Sequence, residues 1–216
     1  VWKTLRWVSL LLLMGAGTNL EQQIIKAYGE PASVRFSQWK QHLLALEGQD
    51  RATQLQQVNR FFNQFHEVED SIMWSEEDYW ASAPEFIGSG AGDCEDFAIA
   101  KFDSLLKLGV PQQRMRLIYV KIASRPSYHV VLAYYPSDDK PPLILDNLNP
   151  ELLPADKRAD LQPIFSFNAA KLWLNRNRFS PTQEQDISSF SRWRQVLERR
   201  KPRQPNQVIE ARHDTF

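Results

Sequence analysis

The chain has 216 residues, 43% hydrophobic and 24% charged, which suits one domain with a sizeable core and is too short for a repeat array. Lys plus Arg and Asp plus Glu each number 26, so the formal net charge is zero; this argues against a globally basic nucleic-acid binder, and no nucleic-acid partner is expected. The single cysteine, Cys94, excludes an intrachain disulfide and a multi-cysteine zinc site, and the 4 histidines leave little material for a histidine-rich metal centre.

Residues 1–17 read VWKTLRWVSLLLLMGAG. Lys3 and Arg6 give a positive start, and an apolar run ending in small residues follows. The run is too short to span a bilayer, which needs roughly 20 apolar residues. It has the charged, apolar and small-residue regions of a secretory signal peptide. A first amphipathic helix is the alternative, but Leu10 to Leu13 leave it no polar face. Export would place a lone thiol in an oxidising space, and reactivity is one reason to keep such a thiol.

The first half then reads helical. Leu43, Leu46, Leu55, Val58, Phe61, Phe62 and Phe65 fall largely at helical spacings, with a break expected at Gly48-Gln-Asp50. Ser71 to Phe86 is aromatic and acidic, and Pro84 argues against one long helix through it. Its aromatics, Trp74, Tyr79, Trp80 and Phe86, are expected in the core. Asp93 to Leu108 is a helix with Phe97, Ala98, Phe102, Leu105, Leu106 and Leu108 on its apolar face, stopped by Gly109 and Pro111. Strands follow at Met115–Ile122, Tyr128–Tyr135 and Leu143–Asp146, the last two joined by a hairpin loop over 137–142, and another at Pro163–Asn168. The fold class is therefore α+β: helices first, then an antiparallel sheet packed on a central helix. From Arg199 the polar, proline-containing tail is expected to be disordered.

The chemistry gathers around Cys94. Gly88 and Gly90 precede the block that Gly92 opens, Gly-Asp-Cys-Glu-Asp, which puts the thiol at or within the first turn of a helix. Free N–H groups and the positive dipole end lower a thiol's pKa there, and a first-turn N–H can hold an oxyanion. The glycines are expected to let a substrate backbone approach. A thiolate nucleophile needs a base. His129 opens one strand and Asp146 ends the next, so antiparallel pairing across the loop makes them neighbours at one edge. The carboxylate then orients the imidazole while its other nitrogen serves the thiol. An inert buried cysteine is the bland alternative, opposed by the glycine run, the helix start and the polar neighbours.

GDCEDFAIAKFDSLLKLG, followed by RLIYVK, YHVVLAYYP, LILDNLN and PIFSFN, resembles the bacterial transglutaminase-like cysteine proteinase family over roughly Trp74 to Trp173. The resemblance implies a papain-like, transglutaminase-type fold with a Cys94–His129–Asp146 triad. Residues 18–198 would form the protease domain, with 18–86 mainly helical and 87–198 the catalytic core. It also implies a periplasmic enzyme that cuts a large surface adhesin near its N-terminus, within an Ala-Ala-containing segment, and so disperses biofilm. The implied inhibitor is the periplasmic domain of a membrane receptor that senses cyclic di-GMP.

Asp93, Glu95 and Asp96 crowd three carboxylates beside Cys94. Helix capping and dipole complementation explain them in part. Three negative charges, however, oppose the thiolate, and a divalent cation would cancel that penalty. All-oxygen ligands suit calcium, and the resembled family is similar in depending on Ca2+ at this block. Two competing readings remain: a transglutaminase-like acyltransferase or amidase using the same triad, and a non-catalytic calcium-binding adaptor on the same fold.

Overall fold

The computed structural model describes residues 19–124, 127–168, 171–174, 183–186 and 190–199. The leader over 1–17 and residues 200–216 of the expected tail lie outside the described residues. Three helices open the fold: α1 (Asn19–Tyr28), α2 (Glu30–Leu46) and α3 (Arg51–Phe62). The break between α2 and α3 falls where expected. Gly48 takes the left-handed conformation (φ 75°), and Asp50 caps α3 by accepting from the Thr53 N–H at 3.0 Å. Leu43, Leu46, Leu55, Val58 and Phe62 are buried, as their spacing requires.

The aromatic, acidic stretch is broken up. Strand β1 (His66–Glu67) pairs in parallel with β2 (Ala91–Gly92), and between them lie α4 (Asp70–Met73) and α5 (Ala83–Ser89). Pro84 sits in the first turn of α5, where its missing N–H is harmless, so it opens a short helix. The Glu85 carboxylate accepts from both the N–H and the hydroxyl of Ser82 at 2.7 Å, fixing that start. Trp80 and Phe86 are in the core, while Trp74 and Tyr79 pack against it half-buried.

Helix α6 (Cys94–Lys107) runs through the centre. From Glu95 to Phe102 every side chain is buried, so these first turns of the helix are enclosed on all sides rather than on one face. The strands β3 (Met115–Ile122), β4 (Tyr128–Tyr134), β5 (Leu143–Leu145), β6 (Leu153–Pro154), β7 (Leu161–Phe167), β8 (Lys171–Leu174) and β9 (Gln183–Asp186) form one sheet in the order β6-β5-β4-β3-β7-β8-β9. All its pairs are antiparallel. Alternate residues serve opposite faces. Leu117, Val130, Leu132, Leu145 and Phe167 pack with the helices, whereas Ile118, Val120, Val131, Ala133 and Ile144 join Ala155 and Leu161 on the far side.

The expected α+β architecture is thus present: the strand over Met115–Ile122 has the expected bounds, those starting at Tyr128 and Leu143 each end one residue early, and the last begins two residues early and ends one early. The short strands β1, β2, β6, β8 and β9 had no alternation to announce them. Helix α7 (Ser191–Arg199) is also new, and it corrects the tail boundary because Arg199 is its last residue. Trp193 anchors it: the ring is fully buried against Phe102 and Phe167, and its Nε1–H donates to the Asn168 carbonyl at 2.9 Å.

Candidate active site

Cys94 is the first residue of α6, with Asp93 at the N-cap position. The glycines before it serve packing inside the chain, which corrects the expectation that they clear space for a substrate. Gly90 ends α5 in the left-handed conformation (φ 74°). A Cβ on Gly88 would meet Ile24 at 2.0 Å, and one on Gly92 would meet Asp96 Oδ2 at 2.2 Å. Gly92 therefore lets a carboxylate come close to the main chain.

The thiol lies between two kinds of neighbour. Its sulfur accepts from the Val130 N–H of β4. Its own proton is directed to Glu95 Oε2 at 3.1 Å. Burial, then Glu95 and Asp93, push the thiol's pKa up, against the lowering that the helix start alone predicts. Desolvation and adjacent carboxylates outweigh the dipole here, because the dipole acts as about half a charge.

His129 and Asp146 meet as their strand positions require. Leu132 pairs with Leu145, so Asp146, just past the end of β5, falls opposite Val131 and diagonal to His129. His129 Nε2 lies 2.7 Å from Asp146 Oδ1, with both side chains buried. This leaves Nδ1 as the ring nitrogen not engaged by the carboxylate, on a residue whose neighbour Val130 touches the thiol. Burial works to raise the Asp146 pKa, but His129, Arg158 and the Leu148 N–H together hold it well below the usual carboxylate range. Asn63, the residue that caps the C-terminal end of α3, donates to the Asp146 carbonyl at 2.8 Å and fixes the main chain there.

Two cations near Asp146 had no sequence signal. Arg158 Nη2 donates to Asp146 Oδ2 at 2.7 Å. Lys101, two turns along α6 from Cys94, is 1% exposed, with its ammonium 5.8 Å from the Phe97 ring centre. Burial pushes its pKa down to about 7 against the opposing pull of Asp146.

Asp93, Glu95 and Asp96 are joined by Asp70 of α4, which sequence spacing could not place. Ligand oxygens of Asp70, Asp93 and Asp96 lie within 4.8 Å of one another, as do those of Asp70, Asp78 and Glu95. Asp70 Oδ2 accepts from the Tyr79 N–H at 2.5 Å, and Asp96 Oδ1 from the Ala81 N–H at 2.7 Å. The other oxygens, Asp70 Oδ1 and Asp96 Oδ2, are buried without a partner, as is Asp93 Oδ1. Asp93 makes no capping hydrogen bond, although it stands at the N-cap. Burial, followed by Glu95 and Asp96, pushes Asp93 up to about 10; burial and Glu95 raise Asp96 well above normal; Asp70, also raised chiefly by burial, reaches about 6. Three buried, unpartnered carboxylate oxygens, on residues whose ligand oxygens come within 4.8 Å of one another, fit a hard divalent cation, which would satisfy them and favour the ionised forms.

The sequence matches the model of a family described as bacterial transglutaminase-like cysteine proteinase over residues 33–161. No curated protein matches it. Among solved structures, EGTA-treated Legionella pneumophila LapG is 37% identical with a TM-score of 0.75, covering 84% of this chain and 96% of that one. The calcium-bound form of the same protein is 38% identical with a TM-score of 0.72, covering 84% and 97%.

Proposed function

Since the chain belongs to the bacterial transglutaminase-like cysteine proteinase family, we propose that it is a calcium-dependent cysteine endopeptidase working through Cys94, His129 and Asp146. The observation that carries this reading is the buried His129–Asp146 pair, 2.7 Å apart, next to the strand residue whose N–H touches the Cys94 sulfur.

The chemistry follows from the positions. His129 Nδ1 takes the Cys94 proton while Asp146 holds Nε2–H and stabilises the imidazolium. The sulfur attacks the scissile carbonyl carbon, and the resulting oxyanion is met by first-turn N–H groups of α6, which have no partner one turn back. The imidazolium gives its proton to the leaving amine as the C–N bond breaks, leaving a thioester. His129 then deprotonates a water, which attacks the thioester; the C–S bond breaks and the thiolate takes back the proton. Asp70, Asp93, Asp96 and Glu95 would hold the calcium ion, which supplies positive charge against the carboxylates beside Cys94. That LapG has both a calcium-bound and an EGTA-treated structure supports this part of the reading.

Its proposed substrate is the N-terminal region of a large surface adhesin, whose release promotes biofilm dispersal. The proposed inhibitor is the periplasmic domain of a cyclic di-GMP-sensing membrane receptor. The family resemblance supports both, and the signal-peptide pattern over 1–17 supports a periplasmic location. The test is incubation of the purified protein with an adhesin N-terminal fragment, followed by sequencing of the products. One defined internal cut is expected. Cross-linked or amine-modified fragment without chain cleavage would instead establish an acyltransferase.

A further inference from the structure

We infer that Arg158 is a positioning residue: gripped by Asp160, its guanidinium fixes the Asp146 carboxylate so that one oxygen stays on His129. The inference rests on the triad reading above.

A carboxylate at the end of a short side chain is a broad rotor, so His129 alone does not fix its plane. Asp146 is held from several sides. Oδ1 accepts from His129 Nε2 at 2.7 Å and from the Leu148 N–H at 2.9 Å, while Oδ2 accepts from Arg158 Nη2 at 2.7 Å. Each oxygen therefore has its own charged or main-chain partner, and turning the group breaks them together. Arg158 is itself held. Its Nε donates to Asp160 Oδ1 at 2.9 Å and its Nη2 to Asp160 Oδ2 at 2.7 Å, a two-point grip that a lysine cannot reproduce. The Asp160 carbonyl accepts from the Ala123 N–H at 2.8 Å, which ties the grip to the end of β3.

The Arg158 and Asp146 side chains are 3% and 0% exposed, so solvent and salt do little to screen the pair. Such pairs add little net stability over apolar residues of similar size. Orientation of a functional group accounts better for keeping one here. Among the described residues, the titratable and charged side chains around Asp146 are His129 and Arg158, which touch it, and, more distantly, Lys101 and Asp160.

The test uses the full chain with calcium and compares Arg158→Met, Arg158→Lys, Asp160→Asn and Asp146→Asn. Steady-state cleavage of the adhesin fragment is measured together with the proton resonance of His129 Nε2–H, which a short bond to a carboxylate moves far downfield. Arg158→Met should lower kcat about tenfold to a hundredfold, the scale of an orienting partner. KM should stay within about twofold, and the resonance should broaden or move upfield. Arg158→Lys should recover only part of kcat, and Asp160→Asn should lose several-fold. A folded Arg158→Met with wild-type kcat and an unmoved resonance overturns the inference. If Arg158→Met does not fold, Arg158→Lys decides, and wild-type kcat in it is equally fatal. Asp146→Asn separates the two levels. If Asp146→Asn keeps the full rate, the triad reading itself fails. If Asp146→Asn loses rate but the Arg158 variants do not, only the positioning role fails.

Discussion

Lys101→Met should make the protein more stable, by an amount that depends on pH in a specific way. Lys101 is enclosed in α6, and burial moves its pKa from 10.5 to about 7 in the folded chain. That displacement corresponds to a destabilisation of roughly 5 kcal/mol when the ammonium is charged in both states, a large part of the 5–15 kcal/mol that holds a typical domain together. The sign follows from proton counting. Below pH 7 both states carry the proton, and the folded state bears the full desolvation cost. Between pH 7 and 10.5 the unfolded chain still binds the proton and the folded chain does not, so stability recovers as pH rises. Methionine has similar length and no charge, so the variant lacks this term. Urea unfolding of wild type and Lys101→Met at fixed calcium concentration should show a gap of several kcal/mol at pH 6. Above pH 7 the gap should shrink by about 1.4 kcal/mol per pH unit. A gap that stays constant from pH 6 to 10 refutes the argument, as does a variant less stable than wild type at pH 6.

Cys94→Ala should abolish cleavage with the melting temperature preserved, and His129→Ala should do nearly the same; wild-type rates in Cys94→Ala reject the assignment. Asp146→Asn should lose about a hundredfold or more in kcat and retain a residue of activity, since Asp146 orients and does not react. Asp70→Asn should weaken calcium binding measured by calorimetry at least tenfold, because it removes one buried anionic oxygen from the cluster. Gly92→Ala should weaken calcium binding as well, since its new methyl meets Asp96 Oδ2 at 2.2 Å; unchanged affinity would show that Asp96 is not a ligand.

The positions of Cys94, His129 and Asp146, on which the proposed triad rests, were legible because each follows from local pattern plus one pairing rule. A glycine run before a helix marks Cys94, and a hairpin brings the start of β4 beside the end of β5. The other site residues depend on contacts that leave no period in the sequence. Arg158 comes from the turn between β6 and β7, 12 positions beyond Asp146, where nothing distinguishes it from a solvated arginine. Asp70 reaches Asp93 and Asp96 only because β1 and β2, two residues each, pair in parallel and bring α4 against the start of α6. Lys101 reads as a surface residue until the stretch of α6 from Glu95 to Phe102 is seen to be covered on every side. The glycines misled for a related reason. Their spacing shows that something comes close to the backbone, but only the fold shows that it is Ile24 and Asp96 rather than a substrate.

The acidic cluster allows one more decision, because capping and ion binding make opposite claims about a chelator. If Asp93, Glu95 and Asp96 merely complement the end of α6, EGTA changes neither melting temperature nor activity. The orphaned oxygens of Asp70, Asp93 and Asp96 and the uncapped N-cap speak for the ion. A ligand held only by the folded state stabilises it by about 2.7 kcal/mol at a hundred times its Kd. For a chain of this size that is a rise of roughly 5–10 °C in melting temperature. EGTA should therefore lower the melting temperature by that order and stop cleavage. Calcium should restore both, and magnesium should do so poorly because it needs tighter octahedral geometry and sheds water reluctantly. The melting temperature keeps the test independent of catalysis: Cys94→Ala, which has no activity to lose, should show the same shift. A melting temperature indifferent to both EGTA and calcium in wild type and Cys94→Ala leaves the carboxylates as helix-start charges. The thiol would then need another source of positive charge to ionise beside Asp93 and Glu95.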